Sequence, residues 1–363
     1  PMKDKDPLTG TIQENEWYLV FGSGPASTAG IADINGSSEA LSGAASSQAA
    51  KLYVVDLKEL VLGKTLKTLD DLGLFTEAPA TVAGEHDYFQ SLDADSFVSD
   101  PVSVDFNLDY NADAVYFGTV SGDKTTGWGG NLRRVVIDNN LLPSAWDGDS
   151  IFFSTAPGQP VVTAPSVGLD DRGNRWIFFG TGRFFVRDDA GHSDIQTYYG
   201  IKEPFTDTDG NAFWNFGETP TWGTVLKLNL VDTSNAVIFD DKHITGVNDL
   251  AGVPVPAWNN LINEMDLTNT HGWFLDFSTS KERNLGQATL FGDLLTFTTY
   301  VPSSDICSFE GESNLYALYY KTGTAYFKSV IGSTFNDLNG NMVVDPEQGE
   351  LQIHRNISLG KGL

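Results

Sequence analysis

Four times along this chain an aromatic, β-branched run stops at or beside a glycine, passes through an irregular insertion, and resumes as a second such run. Trp17-Tyr18-Leu19-Val20-Phe21-Gly22 is answered by Leu52-Tyr53-Val54-Val55-Asp56-Leu57. Ala114-Val115-Tyr116-Phe117-Gly118-Thr119 is answered by Asn131-Leu132-Arg133-Arg134-Val135-Val136-Ile137. Arg175–Gly182 pairs in the same way with Gln196–Ile201, and Leu294–Tyr300 with Asn314–Tyr320. Gly223–Val231 reads as one further strand, and turn-strand phrases at Thr163–Val167 and Gly286–Leu290 precede two of the units. Runs of this composition bounded by glycine are strands. Helical periodicity is almost absent, apart from a short run near Leu66–Leu72. Repeating hairpins with uneven insertions predict an all-β chain, specifically a partial or irregular β-propeller with long loop insertions. A sandwich would need fewer strands at steadier spacing.

The 363 residues are read as a single propeller-type domain over 1–363, with a Gly/Ser/Ala-rich surface insertion at 22–51. A blade takes roughly 40–50 residues, which leaves room for about five. A ring must close, so further chain is expected to complete it.

Between the second pair's flanking turn and its first strand lies Asp105-Phe106-Asn107-Leu108-Asp109-Tyr110-Asn111-Ala112-Asp113. Asp105, Asn107, Asp109 and Asp113 occupy positions 1, 3, 5 and 9, and the Asn111 carbonyl falls at position 7. Alternate side chains of a tight loop converge, and three carboxylates with two neutral oxygens suit Ca²⁺ better than the stricter octahedron of Mg²⁺. Tyr116 stands where a closing glutamate is usual. A second loop repeats the spacing with two carboxylates: Asp337, Asn339, Asn341 and Asp345, with the Val343 carbonyl at position 7. It is expected to bind Ca²⁺ more weakly. A third run, Asp207, Asp209, Asn211 and Asn215, fits loosely and reads as a hairpin turn.

The balance of 22 basic against 48 acidic residues gives a formal charge of −26. Such a field repels nucleic acid and anionic lipid, and bound cations would offset part of it. One cysteine, Cys307, excludes an internal disulfide framework; it is either buried or paired with a cysteine outside this sequence. No apolar run approaches the roughly 18 residues of a transmembrane span. Five scattered histidines offer no zinc spacing. His192-Ser193-Asp194 has the letters of a triad but not its long-range arrangement. Asp171-Arg172-Gly173-Asn174-Arg175-Trp176 is similar to the Asp-box hairpin turn, a structural feature of sialidases and other propellers.

Several phrases taken together resemble one family. Ala164-Pro165-Ser166, Phe178–Phe184 and Gln196–Ile201 are similar to the PilY-type tip and assembly proteins of type IV pili. So are Gly272–Asp276, Glu282-Arg283, Gly286-Gln287 and Pro302–Phe309. The loop Asp105–Asp113 matches that family's calcium loop in place and spacing. The resemblance covers about residues 17–346. It implies a C-terminal propeller domain, exported and non-enzymatic, that binds Ca²⁺ at the pilus tip. There it would act with minor pilins in pilus extension and retraction, in attachment to host or abiotic surfaces, and in motility. Asn131-Leu132-Arg133-Arg134 departs from the family's usual Asn-Leu-Trp-Arg, and the family's early blades have no counterpart. The alternatives are a propeller-fold enzyme, either a quinoprotein-like dehydrogenase or a glycosidase, and a secreted calcium-stabilised scaffold with no pilus role.

Overall fold

The computed structural model describes residues 2–5, 12–25, 46, 48–57, 76–77, 86–90, 93–106, 108, 110–123, 126–137, 143, 146–206, 221–303, 311–345 and 347–361. The insertion at 22–51 falls mostly outside them. The run near Leu66–Leu72, the third acidic run at 207–215 and Cys307 lie outside them altogether. Backbone contacts group the chain into two compact units, residues 1–164 with 205–222, and residues 165–204 with 223–363.

In the first unit the strands Tyr18–Gly22, Lys51–Asp56 and His86–Gln90 form an antiparallel sheet, which Thr76–Glu77 joins in parallel. A second sheet is built on the long strand Ala114–Asp123. Asn131–Val136 pairs along it, Asp147–Ser154 extends it, and Ser96–Val98, Val102–Val104 and Gly127–Gly129 also pair with the long strand. Alternation decides which faces meet. Ala50, Leu52 and Val54 point one way from their strand and enclose a core with Val115, Phe117, Val135, Ile137 and Trp146. Burying such aliphatic and aromatic side chains contributes about 1.5–3 kcal/mol each before entropy is counted.

Arg133, the departure from the family's tryptophan, is fully buried. Its Nε and Nη2 donate to the two oxygens of Asp93 at 3.0 and 2.9 Å. Asn131 Nδ2 and Thr119 Oγ1 donate to the same carboxylate at 2.8 and 2.6 Å. A charged side chain is tolerated in the sheet core because its partner is held there by four donors.

Among the described residues the second unit holds three sheets. The strands Ser166–Leu169, Arg175–Gly180, Thr197–Lys202 and Gly272–Asp276 run antiparallel, and Val231–Asp232 joins the last in parallel. Leu294–Pro302, Gly311–Tyr319 and Asn356–Lys361 form another sheet, with Arg283–Asn284 and Thr289–Phe291 pairing along the other side of Leu294–Pro302. The third takes Ile244–Thr245, Val237–Phe239, Leu351–Ile353 and Ser333–Phe335. Trp176, Phe178, Tyr198, Trp273, Phe297 and Tyr316 fill the space between them. The all-β, propeller-type expectation is borne out as separate small sheets, packed through apolar faces within each unit. Among the described residues no sheet closes on itself.

Two local expectations fail. Gly223–Val231 is not a strand: Val225 makes an isolated bridge, Lys227–Asn229 forms a 3₁₀ turn, and the ladder strand is Val231–Asp232. Leu226 and Leu228 are exposed while Val225 and Leu230 are buried, so the apolar run does not alternate across a sheet. Trp258–Met265 is an α-helix, and Trp258, Leu261 and Met265 lie on its buried face.

Candidate metal centre

Both acidic loops join antiparallel neighbours. Residues 105–113 connect Val102–Val104 to Ala114–Asp123, with Val104 opposite Ala114. Asp113 donates its N–H to the Val104 carbonyl at 2.7 Å, so the pairing runs into the loop and sets Asp105 and Asp113 at its mouth. Asp113 is fully buried, and its Oδ2 accepts the Phe106 N–H at 2.6 Å. Asp105 Oδ2 accepts the Tyr110 N–H at 2.8 Å. Leu108 and Tyr110, positions 4 and 6, have φ of 58° and 72°. Two left-handed residues in a nine-residue loop wind it tightly. The even positions Leu108 and Tyr110 then project into solvent, while Phe106 packs edge-on against Tyr116 at 6.3 Å. A cavity of about 240 Å³ lies against Asp105, Asn111 and Ala112. Asn107 and Asp109 lie outside the described residues.

The second loop has the same backbone signature. Gly340 and Met342, again positions 4 and 6, have φ of 77° and 58°. Met342 donates its N–H to Asp337 Oδ2 at 2.9 Å, matching Tyr110 and Asp105. Gly340 donates to Asp337 Oδ1 at 2.7 Å. Asn339 and Asn341 each accept the N–H two residues on, at 3.0 and 2.7 Å, and both donate Nδ2 to Asp345 Oδ2, at 2.6 and 3.1 Å. Val343 is exposed and its carbonyl stays at position 7. Glu350 was outside the nine-position spacing. Only the hairpin register brings it to this loop.

The donors of both loops are oxygens alone, with neither imidazole nor thiolate, which fits a hard cation such as Ca²⁺. Among the described residues no three Asp, Glu, His or Cys side chains group tightly enough to hold a metal by themselves. Amide oxygens are therefore required in the second loop, and the first loop's Asp109 lies outside the described residues.

The remaining constellations are structural. Asp170 Oδ1 accepts the N–H of Arg172 and Asn174 at 2.9 and 2.8 Å, and its Oδ2 accepts Asn174 Nδ2 and Trp176 Nε1 at 2.8 and 3.1 Å. This is a hairpin turn locked by one carboxylate, and the locking residue precedes the Asp171 at which the phrase was read. Arg183 Nε pairs with Asp189 Oδ1 at 2.9 Å, both nearly fully buried. Arg283 donates to the carbonyls of Arg183, Asp189 and His192. Burial pushes the His192 imidazole below its ordinary value, with the Arg183 and Arg283 charges adding to the effect. Glu282 Oε1 accepts Thr299 Oγ1, Asn314 Nδ2 and Tyr316 Oη at 2.5, 2.9 and 3.0 Å. The family-like Arg183, Glu282 and Arg283 thus fasten loops to sheets. Among the described residues no helix is long and apolar enough to cross a membrane.

Fold and site together define an all-β, propeller-type protein carrying two oxygen-lined hairpin loops. No family model matches the chain. It is similar to a protein of Xylella fastidiosa strain Temecula1 named a type IV pilus biogenesis factor PilY1 homolog, at 25% identity over 219 residues, 58% of this chain and 15% of that protein. A second protein of that name and organism is 22% identical over 329 residues, 88% of this chain and 18% of its own length. The PilY-type resemblance read from the sequence is borne out by these relatives. The chain spans less than a fifth of their length. A solved structure, the C-terminal domain of Pseudomonas aeruginosa PilY1, aligns at TM-score 0.49 and 18% identity over 85% of this chain and 61% of that one.

Proposed function

We propose that this chain is a non-enzymatic, calcium-binding part of an exported type IV pilus protein. It would act at the pilus tip with minor pilins in pilus assembly and retraction, surface attachment and motility. The pilus role is supported by the relatives' names. The calcium role is carried by one observation: the 105–113 loop winds through left-handed residues at positions 4 and 6 while Asp113 lies fully buried at its mouth. Asp105, Asn107, Asp109, Asn111 and Asp113 would hold the ion, and the second loop would use Asp337, Asn339, Asn341, Val343 and Asp345.

A bound divalent cation neutralises the loop carboxylates. The chain's own contribution is to preset the loop, because the hairpin register and the Phe106–Asp113 bond exist within the protein itself. Linkage then stabilises the folded loop by about 2.7 kcal/mol when free Ca²⁺ is about 100 times Kd. For extracellular modules Kd is roughly 10⁻⁴–10⁻³ M, so external calcium would set loop order.

The test pairs calorimetry with a cellular readout. Ca²⁺ titration of the chain should show two binding events, of which Asp113→Ala removes the one at 105–113, and cells carrying that substitution should lose calcium-dependent surface attachment and motility. Unchanged binding in Asp113→Ala would sink the calcium role. Capture of no minor pilin by the full-length protein would sink the partner.

A further inference from the structure

The second loop is longer than its nine-position spacing requires. Residues 336–350 connect Ser333–Phe335 to Leu351–Ile353, and the register sets Phe335 opposite Leu351. Asn336 extends the pairing by donating its N–H to the Glu350 carbonyl at 2.7 Å. Asp337 therefore opens the loop beside the residue that ends it, and that residue is an acid. Its placement is enforced from outside the loop. Asp240 accepts the N–H of Glu347 at 2.9 Å and of Leu351 at 3.1 Å, gripping the chain on both sides of Glu350. Gly349 between them has φ of 79°, and a Cβ there would lie 2.9 Å from Asp241 Oδ2. Only glycine suits that step.

Glu350 is 1% exposed. One carboxylate oxygen accepts the Asp345 N–H at 2.9 Å, and among the described residues no hydrogen bond or ion pair reaches the other. The side chain lines a cavity of about 460 Å³ shared with Asn339, Asp345 and Gln348. A buried carboxylate without a counter-charge is costly. Among the described residues no basic side chain pairs with Asp337, Asp345 or Glu350. The groups now turned towards Asp345 are the amides of Asn339 and Asn341. A half-turn of an amide exchanges its nitrogen for its oxygen, so the same two side chains can face a cation as acceptors.

We propose, on the reading of 337–345 as a cation loop, that Glu350 is its closing ligand. It supplies to a hard divalent cation, Ca²⁺ in the first place, the carboxylate that the spacing lacks. The site then takes Asp337, Asn339, Asn341, Asp345 and Glu350. The three carboxylates do not group tightly enough to hold a metal by themselves, so the site closes on the ion only with the Asn339 and Asn341 amide oxygens turned towards it.

The experiment is Ca²⁺ titration of the whole chain, joined to luminescence lifetimes of bound Tb³⁺, which shorten as water enters the coordination shell. Glu350→Gln keeps the shape and can still accept the Asp345 N–H, so the fold in chelator should be retained. It should weaken one of two binding events about tenfold or more, since affinity follows ligand charge. Tb³⁺ at that event should gain one or two waters by comparison with the parent. Asp337→Asn should weaken the same event. If Asp337→Asn acts while Glu350→Gln leaves affinity and lifetime unchanged, Glu350 is not a ligand, although the loop binds. If neither variant changes either event, the loop does not bind and the inference falls with it. Should Glu350→Gln fail to fold, Glu350→Asp retains the charge one methylene short and is read by the same two measurements.

Discussion

Tyr110 donates its backbone N–H to Asp105 Oδ2 at 2.8 Å from a left-handed conformation, φ 72°, that a tyrosine adopts at a cost. An L-residue pays about 1–2 kcal/mol there, and glycine's extra freedom in the unfolded chain returns about 0.5–1 kcal/mol of that difference. Tyr110→Gly should therefore stabilise the first unit by about 0.5–1 kcal/mol, with Ca²⁺ binding kept. Tyr110→Val should destabilise it, because a branched Cβ is least tolerated at positive φ. Urea unfolding of the two variants in chelator decides the matter. A valine variant as stable as the glycine variant would show that the loop does not hold this conformation.

Asp113 separates charge from shape. Its Oδ2 accepts the Phe106 N–H at 2.6 Å in a fully buried setting. Asparagine at 113 can still accept that bond, so Asp113→Asn should leave stability in chelator within about 1 kcal/mol of the parent while losing most Ca²⁺ affinity at this loop. Asp113→Ala also orphans a buried N–H and should cost about 1–3 kcal/mol more. Equal stability of the two variants, measured by denaturation in chelator, would remove the bond from the account of the loop.

The loops were legible because alternating oxygens are a property of the sequence itself. What closes them was not. Position 6 carries Tyr110 in one loop and Met342 in the other, where glycine would have announced the left-handed turn, and only Gly340 at position 4 gave that signal. Glu350 stands 13 residues beyond Asp337 and reaches the site through the pairing of Phe335 with Leu351, which no local pattern encodes. Arg133 was visible as a departure, but its partner Asp93 lies 40 positions away on a connecting segment. Strand pairs were read well where glycine and aromatics bounded them. Trp258–Met265 was missed as a helix because two turns of Asn-rich chain give only Trp258, Leu261 and Met265 as its apolar face. Lys227–Asn229 was misread because alternating leucines exposed on a 3₁₀ turn look like a strand.

Asp93 predicts the direction of acid sensitivity. Burial raises its carboxyl pKa, but the bonds from Arg133, Thr119 and Asn131, with the Arg133 charge, outweigh this and leave it below the ordinary range. A carboxyl depressed by folding contributes stability that is complete above its unfolded value of about 3.9. That contribution is lost as pH falls through the folded value. The parent should lose stability below about pH 4. Asp93→Asn, which strands the buried Arg133, should cost about 3 kcal/mol at neutral pH and flatten the slope below pH 4. Melting curves at stepped pH check both, and an unchanged slope in the variant would mean that Asp93 is not the titrating group.

Asp170 tests whether the Asp-box-like turn is a fastener rather than a catalytic remnant. Four hydrogen bonds end on its carboxylate, two on each oxygen, and Lys321 approaches to 3.8 Å. Asp170→Asn replaces one oxygen with an amide that cannot accept. If Oδ1 keeps the two backbone N–H groups, Asn174 Nδ2 and the buried Trp176 Nε1 lose their acceptor. The expected cost is about 2–4 kcal/mol, from two bonds lost and a buried indole N–H left unsatisfied. Because Trp176 stacks on Phe178 and meets Tyr320 edge-on, the loss should appear in tryptophan fluorescence as well as in the melting temperature. Calcium binding at 105–113 should stay at the parent level. A variant that melts like the parent would show that the carboxylate is not what holds the hairpin, and would reopen a chemical role for it.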